Sequence, residues 1–177
     1  MKIKVKIITP GCMPTITEKG DWIDLRAAET VHMNAPQAGV RKRKKSIEGE
    51  QVSTRDVKFD YKLIRLGVAM KLPKGFEAVM NPRSSTMQSY RVISANSQGV
   101  IDNSYCGNDD EWRFPAIAME DTTIFQSHRI CQFRIQPAQN ATVWQKLRWL
   151  FSGKVKFEVV DDLRSNNRGG FGTSGVQ

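Results

Sequence analysis

Twelve consecutive residues, Asn96-Ser97-Gln98-Gly99-Val100-Ile101-Asp102-Asn103-Ser104-Tyr105-Cys106-Gly107, carry the densest set of groups able to do chemistry. Asp102 follows apolar Ile101 and stands near Tyr105, a setting that suits a fixed carboxylate base polarising water. Gly99, between short strand signals, suggests a hairpin whose main chain comes close to a ligand. Tyr105 offers a flat ring to a sugar. An ordinary turn capped by its aspartate uses the same residue types, and this stretch alone leaves both readings open. A second cluster is Pro82-Arg83-Ser84-Ser85, where a guanidinium and two hydroxyls directly after a strand suit phosphate oxygens. Hydroxyl-to-backbone bonding in a loop produces the same tetrapeptide. The third is the tail, 165–177, in which Gly169, Gly170, Gly172 and Gly175 let backbone N–H groups approach an anion. Arg168 adds a charged fork for phosphate and Phe171 a ring face for a base. Gly-rich tails also serve as plain linkers.

Short alternating stretches must position these groups. Met1 to Ile8 alternates lysine with β-branched residues and reads as a strand. Further strands are expected at 22–27, 61–71, 76–80, 90–95, 114–119 and 129–135, with Leu72-Pro73-Lys74-Gly75 as a turn. Many short strands with few helical patterns argue for an all-β barrel or sandwich. The segment 29–60 is long and polar, and is expected to be an extended or partly disordered excursion. Residues 142–151 put Val143, Leu147, Leu150 and Phe151 on one helical face, and Ser152-Gly153 supplies a stop. That helix is expected to pack on the barrel or on a neighbouring subunit in preference to a membrane. The tail has too little apolar surface to fold alone and should stay mobile until something orders it.

A chain of 177 residues, 40% hydrophobic, fits one domain around one core. No window approaches the roughly 18 uncharged apolar residues of a membrane helix. The net charge is +9, and five of those charges sit in one run, Arg41-Lys42-Arg43-Lys44-Lys45. Such a run is usually a solvated loop; nucleic-acid binding through 41–45 is the less favoured alternative. Cys12, Cys106 and Cys131 cannot all pair within the chain and lack metal-type spacing, which points to a reducing cytoplasm.

Taken in order, the motifs resemble the trimeric dUTP pyrophosphatase (dUTPase) family over nearly the whole chain. Gly20-Asp21-Trp22-Ile23-Asp24-Leu25-Arg26-Ala27 is similar to the family's Gly-Tyr-Asp-Leu-x-Ala, and Pro82-Arg83-Ser84-Ser85 to its second motif. The third, Gly99-Val100-Ile101-Asp102 with Tyr105 and Gly107, is the most specific. Arg129-Ile130-Cys131-Gln132 gives the fourth, and Arg168-Gly169-Gly170-Phe171-Gly172-Thr173-Ser174-Gly175 the fifth. The resemblance implies an all-β, jelly-roll-like β-barrel over 1–164, with a short helix inserted near 142–151 and a flexible arm at 165–177. It also implies a homotrimer whose active sites lie between subunits, the arm coming from a third chain, and hydrolysis of dUTP to dUMP and pyrophosphate. Mg2+ would be held mainly by the substrate triphosphate.

Carried over by motif, Asp102 is the general base. Arg83, Ser84, Ser85, Gln132 and Arg168 contact the phosphates, with Arg83 also steadying Asp102. Asn96, Gly99, Val100 and Ile101 read uracil, Tyr105 lies under the deoxyribose, and Phe171 stacks on the base. Asp24 bonds a water of the Mg2+ hydration shell. Three positions depart from the family pattern: Ser104 in place of an acid, Ser127-His128 before the fourth motif, and only Gly169 and Gly170 between Arg168 and Phe171. The rival of the same fold is a dCTP deaminase. That reading expects an Arg where Gln88 stands and a glutamate in the strand 114–119; only Glu111, just before it, could be proposed for that glutamate.

Overall fold

The computed structural model describes residues 1–18, 20–47 and 50–170, with 40–47 and 50–55 described by their backbone alone. The chain opens with β1 (Lys2–Ile7), β2 (Thr15–Ile16), β3 (Ile23–Arg26) and β4 (Val31–Met33). β5 (Gln37–Ile47) and β6 (Glu50–Lys58) follow, then β7 (Tyr61–Arg65), β8 (Val68–Lys71) and β9 (Phe76–Pro82). After α1 (Thr86–Tyr90) come β10 (Val92–Ser94), β11 (Gly99–Ile101), β12 (Arg113–Ala118), β13 (Thr122–Ile124) and β14 (Arg129–Pro137). α2 (Val143–Leu150) and β15 (Lys156–Val159) complete the elements. The fold is all-β, as the alternating pattern predicts, and jelly-roll-like, as the family resemblance implies.

Alternation works because only one face of each strand meets the core. In β1, Ile3 and Val5 are fully buried while Lys2 and Lys4 face water. The core is partly aromatic: Trp112 meets Phe133 edge-on with ring centroids 5.0 Å apart, and Phe114 is buried in the same cluster. β14 anchors the largest sheet, ordered β11-β9-β14-β3-β2, while β15-β1-β8 and β10-β12-β7 form two smaller ones.

Three departures from the sequence expectation have physical causes. The apolar run at 61–71 is two strands, because Gly67, at φ 66°, turns the chain from the β12 sheet to the β1 sheet. A Cβ there would lie 2.8 Å from the Cys12 sulfur, so the close packing requires glycine. The second departure is the excursion at 29–60, which holds β4 and a long antiparallel ribbon of β5 and β6. The basic run lies on β5, with Lys42 opposite Arg55 and Lys45 opposite Val52. The third is α2. Its capping box is complete, Thr142 accepting from the Gln145 N–H and Gln145 accepting from the Thr142 N–H. Yet its own chain leaves its apolar face uncovered, with Trp144 81% and Phe151 84% exposed; Gln145 touches the barrel by donating to the Lys74 carbonyl.

Candidate active site

Neighbouring strands of the large sheet assemble the first cluster. Asp24 of β3 lies opposite Gln132 of β14, and Gln132 lies opposite Asn81 of β9, just before Arg83. The Asp24 carboxylate is buried and accepts from two guanidiniums, Arg83 Nε at 2.8 Å and Arg129 Nη1 at 2.9 Å. Each oxygen takes one arginine, so the pair is fixed side by side. Thr86 pins the turn that carries Arg83: its hydroxyl accepts from the Arg83 N–H at 2.9 Å and donates to the Ile130 carbonyl at 2.8 Å. Ser85 precedes α1 and lies 3.5 Å from Arg83 Nη1, while Ser84 is exposed beside it. Gln132 donates to the Pro82 carbonyl. Arg83, Ser84, Ser85 and Gln132 thus share one rim with partly exposed guanidinium groups, a surface suited to a chain of phosphates.

The second cluster gathers around Asp102. Its Oδ1 accepts from the Ser104 N–H at 2.8 Å and from the Ser104 hydroxyl at 2.5 Å; its Oδ2 accepts from Arg168 Nη1 at 2.5 Å. Ser104 therefore holds the carboxylate in a local turn instead of repelling it, as an acid there would. Burial works against the charge on Asp102, but the Ser104 bonds and the Arg168 guanidinium outweigh it and hold the pKa below the ordinary value. A base so placed stays ionised below the usual aspartate range of about 3.9. The acid limb of kcat/KM should accordingly lie below that value, with activity lost as pH falls through it. Replacing Arg168 with Gln removes the positive charge and is expected to move the limb upward; a pH–rate profile of both proteins checks this.

Tyr105 is partly buried and donates its hydroxyl to the Glu111 carbonyl at 2.9 Å, fixing the ring beside Asp102. β11 is the outermost strand of its sheet, bonded to β9 on one edge. The N–H and C=O groups of Gly99, Val100 and Ile101 on its other edge have no strand partner among the described residues. Gly99 packs over Met80, whose Cε would sit 3.3 Å from an added Cβ. The expected hairpin is instead a corner: β10 pairs with β12 and β11 with β9, and Ser97 at φ 56° makes the bend between two sheets. Asn96 sits in this corner, accepting from Ser94 Oγ at 3.3 Å.

Neither Asp102 nor Arg168 bonds to Asp24, Arg83 or Gln132 among the described residues. Within one chain Arg83 steadies Asp24; a contact of Arg83 with Asp102 would have to form between chains. Phe171 lies outside the described residues. Sequence reasoning passed over Asp110, a 2% exposed carboxylate that accepts from the N–H groups of Gly107, Arg168 and Gly169. Burial opposes its charge, but these backbone bonds lower its pKa. The signal was the pair Asp109-Asp110 directly after the third motif. Glu111 is committed elsewhere: its carboxylate bonds Arg65 Nε at 2.8 Å and the Gly67 N–H at 2.9 Å, a structural role that removes it as a deaminase carboxylate. His128 meets Tyr90 in the turn at Ser127, at φ 65°. The cavity of about 860 Å³ lined by Ile16, Ile23, Trp149 and Leu150 shares no lining residue with either cluster.

An edge strand with free main-chain groups, a fixed carboxylate and a rim of arginines and serines on a jelly-roll-like barrel are groups suited to a ligand that carries phosphates and a hydrogen-bonding edge. No protein-family model matches the chain. A SPbeta prophage-derived deoxyuridine 5'-triphosphate nucleotidohydrolase, YosS, of Bacillus subtilis is 42% identical over 160 residues, 90% of this chain and 87% of that protein. The deoxyuridine 5'-triphosphate nucleotidohydrolase of Escherichia phage T5 is 30% identical and is covered, like this chain, over 98% of its length. Among solved structures, the Streptococcus mutans dUTPase superposes with a TM-score of 0.60 at 19% identity, covering 78% of this chain and 98% of that one. The chain belongs to the deoxyuridine 5'-triphosphate nucleotidohydrolase, or dUTPase, family.

Proposed function

We propose that this enzyme hydrolyses dUTP to dUMP and pyrophosphate, with Asp102 as the general base. One observation carries the reading: a carboxylate held ionised by Ser104 and Arg168 lies beside an edge strand whose main-chain groups are free to read a base. Asp102 accepts a proton from water as the water oxygen bonds to the α-phosphorus. The bond from that phosphorus to the α–β bridging oxygen breaks, and pyrophosphate leaves. Such chemistry asks little covalently of the protein; positioning and charge neutralisation supply most of the acceleration. Gly99, Val100 and Ile101, with Asn96 through a water, read the uracil edge, and the narrow corner rejects the thymine methyl. Tyr105 lies under the deoxyribose and excludes a ribose hydroxyl. Phe171 stacks on the base, while Arg83, Ser84, Ser85, Gln132 and Arg168 hold the phosphates.

Mg2+ belongs to this reading; a Staphylococcus phage phi11 dUTPase is described with a structural Mg(II) ion. Each Asp24 oxygen spends one lone pair on an arginine and keeps another, so it fits a water of the ion's hydration shell and not direct ligation. Among the described residues no group of three His, Cys, Asp or Glu gathers to hold a metal. When bound, Mg2+ neutralises phosphate charge. The separation of the Asp102 cluster from the phosphate rim supports a homotrimer in which different copies contribute the two halves. Three free cysteines favour the cytoplasm.

A pyrophosphate-release panel tests the substrate. Turnover is expected with dUTP, and at least about 100-fold weaker kcat/KM with dTTP, UTP and dCTP, since a filled pocket or an unpaired polar group costs a few kcal/mol. Ammonia from dCTP would instead select the deaminase. Neutralising 41–45 should leave these rates unchanged.

A further inference from the structure

Polar bonds near its two ends hold α2, and none of them uses its apolar side chains. At the start the capping box closes the first turn, and Gln145 Nε2 donates to the Lys74 carbonyl at 3.2 Å. Gly75 makes room for that contact: it turns at φ 84°, and a Cβ there would lie 2.3 Å from Gln145 Cδ. At the other end the Phe151 N–H donates to the Leu147 carbonyl, and the Ser152 hydroxyl donates to the Trp149 carbonyl at 2.8 Å. The chain then enters β15, which pairs with β1 and fixes where the helix has to stop. Val143, Trp144, Leu147, Leu150 and Phe151 follow the spacing of one helical stripe, and all five are exposed. Lys146 is the helical neighbour of Val143 and Leu150, and Arg148 that of Trp144 and Phe151, so a cation borders each edge. Gln145 and Trp149 take the opposite side, where Trp149 lines the cavity of about 860 Å³ with Arg134. No acid occurs between Asp121 and Glu158, a stretch that holds Arg129, Arg134, Lys146, Arg148, Lys154 and Lys156.

We propose that α2 is an interfacial helix that lays this stripe on an anionic lipid bilayer, a role separate from the reaction at Asp102. Apolar side chains with a tryptophan beside an arginine match the boundary between acyl chains and headgroups, and the bordering cations match acidic headgroups. At eight residues α2 is far too short to span a bilayer, so it lies along the surface. Charge complementarity selects this occupant. A second copy presenting the same face would bring Lys146 and Arg148 against their equals, on chains of net charge +9. A nucleic-acid strand would find rings to stack on in Trp144 and Phe151 but no use for Val143, Leu147 and Leu150 beside them. A bilayer takes the whole stripe, aliphatic and aromatic, and needs no matching groove.

Flotation of the full chain with vesicles tests this. The protein is expected to float with vesicles of phosphatidylglycerol and phosphatidylcholine in equal parts, and at least about fivefold less with phosphatidylcholine alone. Each Lys or Arg near an anionic surface is worth about fivefold in partitioning, so Lys146→Gln with Arg148→Gln should lower binding about 25-fold. Trp144→Ser with Phe151→Ser removes the apolar anchor and should lower binding at least about tenfold. Both pairs should hydrolyse dUTP within about twofold of the parent, because neither touches the Asp102 cluster or the phosphate rim. No flotation of the parent would overturn the proposal. So would a Trp144→Ser, Phe151→Ser variant that binds within about twofold of the parent, since charge alone would then account for the attraction.

Two further measurements separate α2 from other basic surfaces and other occupants. In a chain whose cations at 41–45 are neutralised, the Trp144→Ser, Phe151→Ser pair should still lower flotation about tenfold. No effect in that background would give the lipid contact to the β5–β6 ribbon and overturn the assignment. Sedimentation without lipid should show the same association state for the parent and for the aromatic pair. An assembly that falls apart in the variant would give the stripe to a second copy of the chain, and would overturn the proposal.

Discussion

Asp102→Asn is expected to fold, to bind a non-hydrolysable dUTP analogue within a few-fold of the parent protein, and to lose turnover by about 10²–10⁴. The shape of the side chain is kept, and the amide oxygen can still accept from the Ser104 N–H and hydroxyl as Oδ1 does now. What is lost is the second oxygen, the one facing Arg168, which as an amide nitrogen can no longer take a proton from water. Binding should survive because uracil, sugar and phosphates are recognised by other residues. Single-turnover pyrophosphate release beside calorimetry of the analogue separates the two quantities. Turnover within tenfold of the parent would take Asp102 out of the reaction, whatever its geometry.

How much of this was readable beforehand depended on whether the information was local. β1 was legible because Lys2, Ile3, Lys4 and Val5 record burial directly in their alternation. α2 was legible because Val143, Leu147, Leu150 and Phe151 fall on one helical face and Ser152-Gly153 marks its stop. The break at Gly67 was not, since it depends on Cys12 and on Glu111, partners distant in sequence. The site divides the same way. Asp102, Tyr105, Arg83 and Ser85 stand in motifs whose residue types announce their chemistry. Arg129 was read as part of a motif, but its bond to Asp24 across β3 and β14 is a product of register. Asp110 left only the pair Asp109-Asp110 as a sign, because its task is to accept backbone N–H groups from a segment dozens of residues later. Motif order names the residues of a site; the bonds that hold them are a property of tertiary packing, and Asp110 illustrates the difference.

Asp24→Ala carries the other large effect, and it should appear in stability as well as in rate. The carboxylate is 3% exposed and is shared by Arg83 and Arg129. Its removal leaves two guanidiniums facing each other without an anion, and uncompensated charges at buried sites cost about 3–5 kcal/mol. The two arginine side chains are 25% and 39% exposed, so water relieves part of that and the lower bound, about 3 kcal/mol, is the expected loss. For a domain of this size that corresponds to a fall in Tm of roughly 6–12 °C. Arg83 would also drift from the line set by Thr86 and Ser85, and a displacement near 1 Å is enough for about a hundredfold loss of rate. Asp24→Asn keeps one acceptor and should fall between the parent and the alanine variant in both measurements. The affinity of dUMP should change less than that of the dUTP analogue, because dUMP offers the damaged rim one phosphate instead of three. Unchanged Tm together with kcat/KM within threefold of the parent would mean that the arginines need no shared anion, and the phosphate rim would have to be built differently.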